Sequence, residues 1–127
     1  MKYNNIDIRI ISNVEESKHH LEKDYETLQN KGIDNIIKEQ FISWLLGDSF
    51  KEKSIDKVFG GLKIYDITYN YGKISENYSL TGEENYFGQF QFCFESCSEY
   101  TSEIFDVVAM NIYILNDSIV KVDGYDI

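Results

Sequence analysis

The stretch EENYFGQFQFCFESCSEYTSEIFD, residues 83–106, concentrates the side chains of this chain that are best suited to bind another molecule. It holds six acidic residues and no lysine or arginine, and two tyrosines lie among the acids. Tyrosine is enriched among the residues that anchor protein interfaces, and carboxylates attract cationic groups. The candidate partner-binding residues are therefore Glu83, Glu84, Tyr86, Glu95, Glu99, Tyr100, Glu103 and Asp106.

Charge is distributed unevenly along the chain. The net charge is −10 over 127 residues, and residues 74–120 contain no lysine or arginine. Residues 1–73 carry a net charge of −1, whereas residues 74–127 carry −9. Such a field repels nucleic acid and anionic membrane surfaces, and it steers a basic protein toward the chain. The expected partner is a basic protein, although an acidic face that serves only solubility is the plain alternative.

No residue set matches a known catalytic or metal-binding pattern. His19 and His20 are adjacent on a predicted helix and point about 100° apart, so they do not converge on one ligand. We expect both to be solvated, as are the mixed acids and lysines of that helix, Asp24 among them. No G-x-S-x-G occurs, and no histidine follows position 20. Asp66 and Glu76 lie on neighbouring predicted strands, but nothing in the pattern places them in one pocket. We expect no enzyme activity, no cofactor and no metal site.

Length and composition predict one domain, residues 1–127, in a reducing compartment. The chain contains no apolar run of about 18 residues, and its start, MKYNNIDIRIISN, lacks the pattern of a signal peptide. Cys93 and Cys97 are too few for a disulfide scaffold, so we expect free thiols and a cytoplasmic location. The absence of proline, with a single alanine and a single arginine, is typical of an AT-rich bacterial genome.

The first half of the chain predicts one strand and two helices. NNIDIRIIS alternates isoleucine with charged residues, as a half-buried strand does. Asn13 and Gly32 are placed to begin and end a helix that is largely polar and is expected to lie on the outside. The second helix has a broad apolar face that must be buried. That face consists of Ile33, Ile36, Ile37, Phe41, Trp44 and Leu45.

From Leu62 onward the hydrophobic period changes to two, which predicts an antiparallel meander. The candidate strands are residues 62–70, 74–80, 86–95, 106–115 and 118–125. The expected fold class is α+β, with the N-terminal strand and both helices packed on one face of a curved antiparallel sheet of about five further strands.

Alternation within the third of these strands assigns its two faces. Phe90, Phe92 and Phe94 share one face, which is predicted to pack against the second helix. Gln89, Gln91, Cys93 and Glu95 occupy the opposite face. Together with the acids of the flanking loops, this opposite side is expected to be strongly negative.

The acidic stretch 83–106 and the closing segment MNIYILNDSIVKVDGYDI give the chain a family likeness. With its size, acidity and helices-then-sheet order, the chain resembles the immunity proteins of bacterial toxin systems, such as those of contact-dependent inhibition. The resemblance implies neutralisation of one cognate toxin, often a nuclease, by non-covalent binding. It assigns no role to an individual residue.

Two other classes of function are compatible with the same pattern. The order of helices and strands is also similar to that of nuclear-transport-factor-like and cystatin-like domains. These domains hold a ligand pocket between helix and sheet, for which the candidate lining residues here are Trp44, Tyr65, Tyr69 and Phe92. A structural subunit that pairs through an edge strand is the third alternative.

Overall fold

The computed structural model describes residues 1–45, 60–73, 86–97 and 107–126. The predicted strand at 74–80 and most of the polar connection at 47–61 lie outside these ranges. The described helices are α1 (Val14–Lys31) and α2 (Ile33–Leu45). The described strands are β1 (Lys2–Tyr3), β2 (Ile6–Ile10), β3 (Leu62–Gly72), β4 (Phe87–Ser96), β5 (Val107–Leu115) and β6 (Ser118–Asp126).

These strands form one open sheet in the order β1-β2-β3-β4-β5-β6, and the α+β class is confirmed. The antiparallel meander is confirmed for the described strands from β3 to β6. The predicted place of the N-terminal strand is wrong: β2 does not pack on one face of the sheet but joins it between β1 and β3. Its pairing with β3 is parallel, with Ile8 opposite Ile67, so the sheet is mostly rather than wholly antiparallel. Parallel neighbours need a crossover connection, and both helices lie in the chain between these two strands.

Two tight hairpin turns adopt left-handed backbone conformations. Asn4 and Asn5 have φ of 49° and 66° between β1 and β2, and Asn116 and Asp117 have φ of 49° and 63° between β5 and β6. Asn and Asp tolerate this region better than other residues with a Cβ atom, and two consecutive positive φ angles match the right-handed twist of the paired strands. The dipeptides NN and ND therefore set the register of both hairpins.

Helix α1 begins and ends where the sequence predicts, but its N-terminus is held differently. Asn13 occupies the cap position with φ of 48° and makes no side-chain capping bond. Its amide instead donates to the carbonyl of Tyr71 at 3.1 Å, which ties the start of the helix to the end of β3. Gly32, with φ of 91°, ends α1 and donates its N–H to the carbonyl of Leu28 at 2.9 Å.

The main core lies between the two helices and one face of the sheet. Phe90, Phe92 and Phe94 are buried in it as predicted, and Glu95 is exposed. Helix α1 is mostly exposed, as expected, and its narrow apolar stripe faces this core: Tyr25 and Leu28 are buried, and Leu21 is partly buried against them. The stripe is narrow because the same face of α1 also carries small and acidic residues.

The opposite face of the sheet is also buried at its centre. Phe87 is 0% exposed and Tyr113 is 3% exposed, although strand alternation directs both away from the helices. Thr68 and Asn111, on that same face, are buried polar residues. The centre of this face is therefore shielded from solvent, as the helix-facing side is.

Charge on this opposite face is mixed over the described residues. Arg9 on β2 forms a bidentate pair with Asp66 on β3, at 3.0 and 2.8 Å. Lys63 lies directly across from Glu95 in the strand pairing. The expectation of a strongly negative side is not met by these residues, and the acids of the flanking loops lie outside the described ranges.

Burial on both faces predicts that Phe87→Ala destabilises the fold as severely as Phe90→Ala. Each substitution removes a fully buried ring, and the expected loss in the free energy of unfolding is about 3–5 kcal/mol. Urea unfolding of the purified variants measures it. Tyr65→Ala is the control, since its side chain is 47% exposed and its loss should stay within about 0.5 kcal/mol. A Phe87→Ala loss as small as that of Tyr65→Ala would contradict two-sided burial.

Candidate functional site

Three stacked rings project from the end of the sheet where α1 crosses β3 and β4; we call His20, Tyr71 and Tyr86 the aromatic row. The imidazole of His20 lies 3.7 Å from the ring of Tyr71, centroid to centroid, with an interplanar angle of 14°. The rings of Tyr71 and Tyr86 are 5.9 Å apart at 15°. The ammonium of Lys73 is 5.3 Å from the centroid of Tyr86, within range of a cation–π contact.

The outermost ring of the row is available for binding. Tyr86 is 51% exposed, while Tyr71 and His20 behind it are only partly accessible. Stacking restricts the rotation of an exposed tyrosine, so less conformational entropy is lost when a partner covers it. The row thus presents a positioned aromatic surface.

A buried carboxyl group lies beneath the row. Asp24 on α1 is 6% exposed, and the hydroxyl of Tyr69 on β3 donates to its Oδ2 at 2.5 Å. Burial raises the pKa of Asp24, while the hydrogen bond from Tyr69 and the nearby His20 oppose the rise. Burial and the bond to Asp24 raise the pKa of the Tyr69 hydroxyl. The Asp24 carboxyl accepts the hydrogen bond of Tyr69 and is shielded from solvent. This hydrogen bond joins α1 to β3.

Gly88 on β4 makes room for this pair. A Cβ atom at that position would lie 1.9 Å from Oδ2 of Asp24 and 2.9 Å from the hydroxyl of Tyr69. No side chain is compatible with such distances. The absence of a side chain at Gly88 therefore lets α1 approach the sheet closely enough for Asp24 to reach Tyr69.

The first turn of α1 is tied to the same strand by a second set of hydrogen bonds. Ser17 is fully buried, and its hydroxyl donates to the carbonyl of Ser12 at 2.8 Å. The same oxygen accepts from the backbone N–H of Tyr71 at 3.0 Å. These bonds fix the backbone of Tyr71, whose ring is the centre of the aromatic row.

The structure describes two of the eight sequence-predicted binding residues, Tyr86 and Glu95. They lie at opposite ends of β4, about 30 Å apart at the usual rise per residue of a strand. The chain enters β4 from β3 at the Tyr86 end and leaves it for β5 at the Glu95 end. The other six predicted residues lie outside the described ranges: Glu83, Glu84, Glu99, Tyr100, Glu103 and Asp106.

A cavity of about 550 Å³ lies between α2, the β1–β2 turn and the adjoining ends of β3 and β4. Ile37, Phe41 and Phe94 are among its apolar walls, and Asp34 lies at its polar side, where it accepts a hydrogen bond from the hydroxyl of Tyr3. Burial and this hydrogen bond raise the pKa of Tyr3.

This cavity lies in the predicted place but does not use the predicted lining. Tyr65 is 47% exposed, Tyr69 is committed to Asp24, and Phe92 is a core residue. The side chain of Trp44 lies outside the described part of the structure.

Other chemistry is not visible in the described ranges. They contain no group of three or more His, Cys, Asp or Glu side chains arranged to hold a metal ion. Their helices include none that is long and apolar enough to cross a membrane. Cys93 is buried and Cys97 is exposed, and both are free thiols as predicted.

Comparison with known proteins finds no matching family model, no matching curated protein and no matching solved structure.

Two residues of the site were misjudged at the level of sequence. His20 and Asp24 read as members of a solvated, mixed-charge helix surface, but His20 belongs to the aromatic row and Asp24 is buried. A signal was present, because Ser17, Asp24 and Leu28 follow the helical spacing of i, i+7 and i+11 and so share one face. Their polarity concealed that face from a search for apolar stripes.

Steric exclusion at Gly88 predicts a coupled response to substitution. Gly88→Ala should lower the free energy of unfolding by about 2 kcal/mol or more, because the carboxyl of Asp24 must leave Tyr69. Asp24→Ala should cost about 1–3 kcal/mol by leaving the Tyr69 hydroxyl without its partner. Combined, the two changes should cost roughly 1–3 kcal/mol less than their sum, since the closer clash disappears with the carboxyl and only the approach of 2.9 Å to the Tyr69 hydroxyl remains. Urea unfolding of all four proteins measures the coupling, and strict additivity would contradict the geometry.

Burial of Asp24 predicts an unusual pH dependence of stability. Because its folded-state pKa is raised, its favourable contribution is complete below the unfolded-state pKa and is lost as pH rises through the folded value. The stability of the native protein relative to Asp24→Asn should therefore fall as pH increases. Unfolding free energies of both proteins from about pH 3 to pH 7 measure this difference.

Asp66→Asn provides a control of opposite sign for that experiment. The hydrogen bond from Arg9 lowers the pKa of Asp66, so its contribution is present above the unfolded-state pKa and is lost as pH falls. Relative to Asp66→Asn, the native protein should gain stability as pH rises. Parallel trends for the two variants would contradict the assignment of Asp24 as the buried carboxyl.

Proposed function

We propose that this chain is an acidic binding protein that neutralises a basic protein partner, in the manner of an immunity protein that occludes its cognate toxin, possibly a nuclease. The observation that carries the proposal is the aromatic row, which holds Tyr86 in a fixed orientation at 51% exposure. In this proposal the chain acts in the cytoplasm, binds its partner non-covalently and catalyses no reaction.

Geometry and charge play different parts in this proposal. A pre-positioned tyrosine supplies contact area at a low cost in conformational entropy, and it is the type of residue that dominates interface energetics. The net charge of −10 supplies long-range attraction, which raises the association rate for a cationic partner. Tyr86 is thus the anchor, and the acidic residues steer the approach.

The acids available for steering lie mostly outside the described ranges. The described residues carry 9 basic and 13 acidic side chains, a net charge of −4, so the remaining −6 belongs to the other residues. Acids on the described sheet already have cations beside them, as Asp117 has Lys23 at 3.2 Å and Asp123 has Lys121 at 3.4 Å. In the sequence, this excess of acids falls in residues 74–85 and 98–106, which carry three acids each and no lysine or arginine. These stretches connect β3 to β4 and β4 to β5.

Contact at the Tyr86 end of β4 is the core of the proposal. Glu83 and Glu84 precede Tyr86 directly in the chain. A contact surface of about 800 Å² per partner is roughly 30 Å across, close to the length of β4. A partner centred on Tyr86 therefore covers about 15 Å to either side of it and does not reach Glu95, which lies at the other end of β4 and on the opposite face of the sheet.

The second candidate function is binding of a small molecule in the cavity beside α2. Its volume of about 550 Å³ falls in the range of ligand pockets, and its walls combine apolar residues with the hydrogen-bonded pair of Tyr3 and Asp34. This function predicts a ligand-dependent rise in melting temperature that Phe41→Ala abolishes. The protein-binding function predicts no such response.

Removal of the exposed ring of Tyr86 is expected to weaken binding of the partner. Tyr86→Ala should weaken binding by about 2 kcal/mol or more, roughly thirtyfold, if Tyr86 is an interface anchor. The first measurement is co-purification of this chain with the protein encoded by the adjacent open reading frame, followed by titration calorimetry of the complex. The second is growth of cells that express the adjacent gene product, with and without this chain. Binding should also weaken as salt concentration rises.

Tyr65→Ala is a matched control for this experiment, because Tyr65 is a tyrosine of nearly equal exposure, 47%, at another position of the sheet. Binding should survive that change. If the adjacent gene product is harmless and does not co-purify, or if the two tyrosine variants bind equally well, the proposal fails as stated.

A further inference from the structure

The outer edge of β6 has no neighbouring strand among the described elements. Strand β6 is the last in the order of the sheet and spans Ser118–Asp126. Val120 is an extra residue in its pairing with β5, so the regular part of the strand runs over the six residues from Lys121 onward. It pairs with β5 on one side, so backbone N–H and C=O groups on its other side point away from the sheet. An edge of this length is a template for another strand.

The opposite edge of the sheet is poorly suited to strand addition. Strand β1 has two residues, and β2 has five. The backbone N–H of Ile8 already donates to the carbonyl of Met1 at 2.9 Å. A partner strand would therefore find a short and partly occupied ladder there, whereas β6 offers a long one.

The side chains of β6 carry a charge pattern that is complementary to itself. Lys121 and Asp123 are two residues apart and lie on the same face of the sheet, with their charged groups 3.4 Å from each other. Their side chains are 43% and 37% exposed. Val122, which lies between them, points to the other face, and Val120 is 41% exposed.

We propose that two copies of this chain associate through antiparallel pairing of their β6 strands, with the two-fold axis at Val122. In that register Lys121 of each copy lies directly across from Asp123 of the other, and the two valines at position 122 face each other. Opposite charges at directly paired positions stabilise a sheet, and like charges destabilise it. Sliding one β6 strand by one residue along the other, in either direction, breaks this match. The charges therefore specify the register of the two strands as well as the partner.

The two-fold arrangement is also compatible with the helix layer. An isologous contact uses the same surface on both subunits, and a two-fold axis perpendicular to the sheet keeps both pairs of helices on one face. The result is a continuous sheet through the two copies. Lysine on an edge strand ordinarily discourages such pairing, but here Asp123 of the second copy neutralises it.

This inference does not depend on the proposed function, and charge exchange tests it directly. Native protein should show a concentration-dependent monomer–dimer equilibrium in analytical ultracentrifugation at physiological ionic strength. Lys121→Glu and Asp123→Lys should each weaken the dimer by about tenfold or more, because each places like charges opposite one another twice. The double variant Lys121→Asp/Asp123→Lys should restore dimerisation.

An equimolar mixture of the two single variants should form a heterodimer, because acidic side chains of one copy then face lysines of the other at both paired positions. This outcome separates local pairing from overall repulsion. Lys121→Glu makes the net charge more negative and Asp123→Lys makes it less negative, yet both are expected to weaken self-association. Lys18→Glu and Glu22→Lys, exposed positions on α1, make the same charge changes away from the edge and should leave the dimer intact.

Circular dichroism of each variant establishes that the fold is retained. If one single variant does not fold, the other variant and the exchanged double variant decide the outcome. A native protein that stays monomeric at high micromolar concentration overturns the proposal. A dimer that is indifferent to all of these charge changes overturns it equally.

Discussion

The hydrogen bond between the buried carboxyl of Asp24 and the hydroxyl of Tyr69 constrains the rest of the described structure. A carboxyl group inside a protein is costly unless a donor satisfies it, so α1 must lie where Tyr69 can reach it. Gly88 permits that approach, and the hydroxyl of Ser17 secures the start of the helix to β3. With the helix held at this height, His20 comes to lie flat on Tyr71, and Tyr86 completes the stack. The exposed aromatic surface of the row is thus a consequence of a buried interaction.

Folding redistributes the charge that the chain carries unevenly. Residues 74–120 contain no lysine or arginine, yet Asp117 from that segment lies beside Lys23 of α1 and Glu95 lies across from Lys63 of β3. Exposed pairs of this kind contribute little to stability, but they reduce the local field. A one-dimensional charge profile therefore overstates how negative the described sheet is. It remains a fair guide to the chain as a whole, because the long-range field depends on the net charge.

The sequence predicted the parts of the fold that follow from local pattern. Alternating phenylalanines on β4 identified the core-facing side, and the spacing around Gly32 identified the end of α1, because both depend on periods that the residues themselves carry. The parallel pairing of β2 was missed, since the alternation of Ile6 to Ile10 is the same for either strand direction.

The candidate site was predicted less well because its residues act through tertiary contacts. Tyr86 was predicted to be a binding residue from its place among acids, and that stays a prediction; its stacking on Tyr71 was not predicted, because it depends on strand register. Asp24 was read as a surface acid because a carboxylate in a mixed-charge helix is usually solvated. Only the donor at Tyr69 and the missing side chain at Gly88, 45 and 64 positions further along the chain, reveal its burial.

The parallel contact between β2 and β3 also bears on the order in which the molecule assembles. Ile8 lies opposite Ile67, so this contact closes a segment of chain that contains both helices. The antiparallel pairs β3–β4, β4–β5 and β5–β6, and the contact of α1 with α2, join residues much nearer in sequence. Closing these shorter segments of chain costs less conformational entropy. During synthesis from the N-terminus, β2 emerges long before the strand it needs, and its isoleucines have no sheet to join until β3 has left the ribosome. Strand β2 is thus expected to be among the last of the described strands to dock.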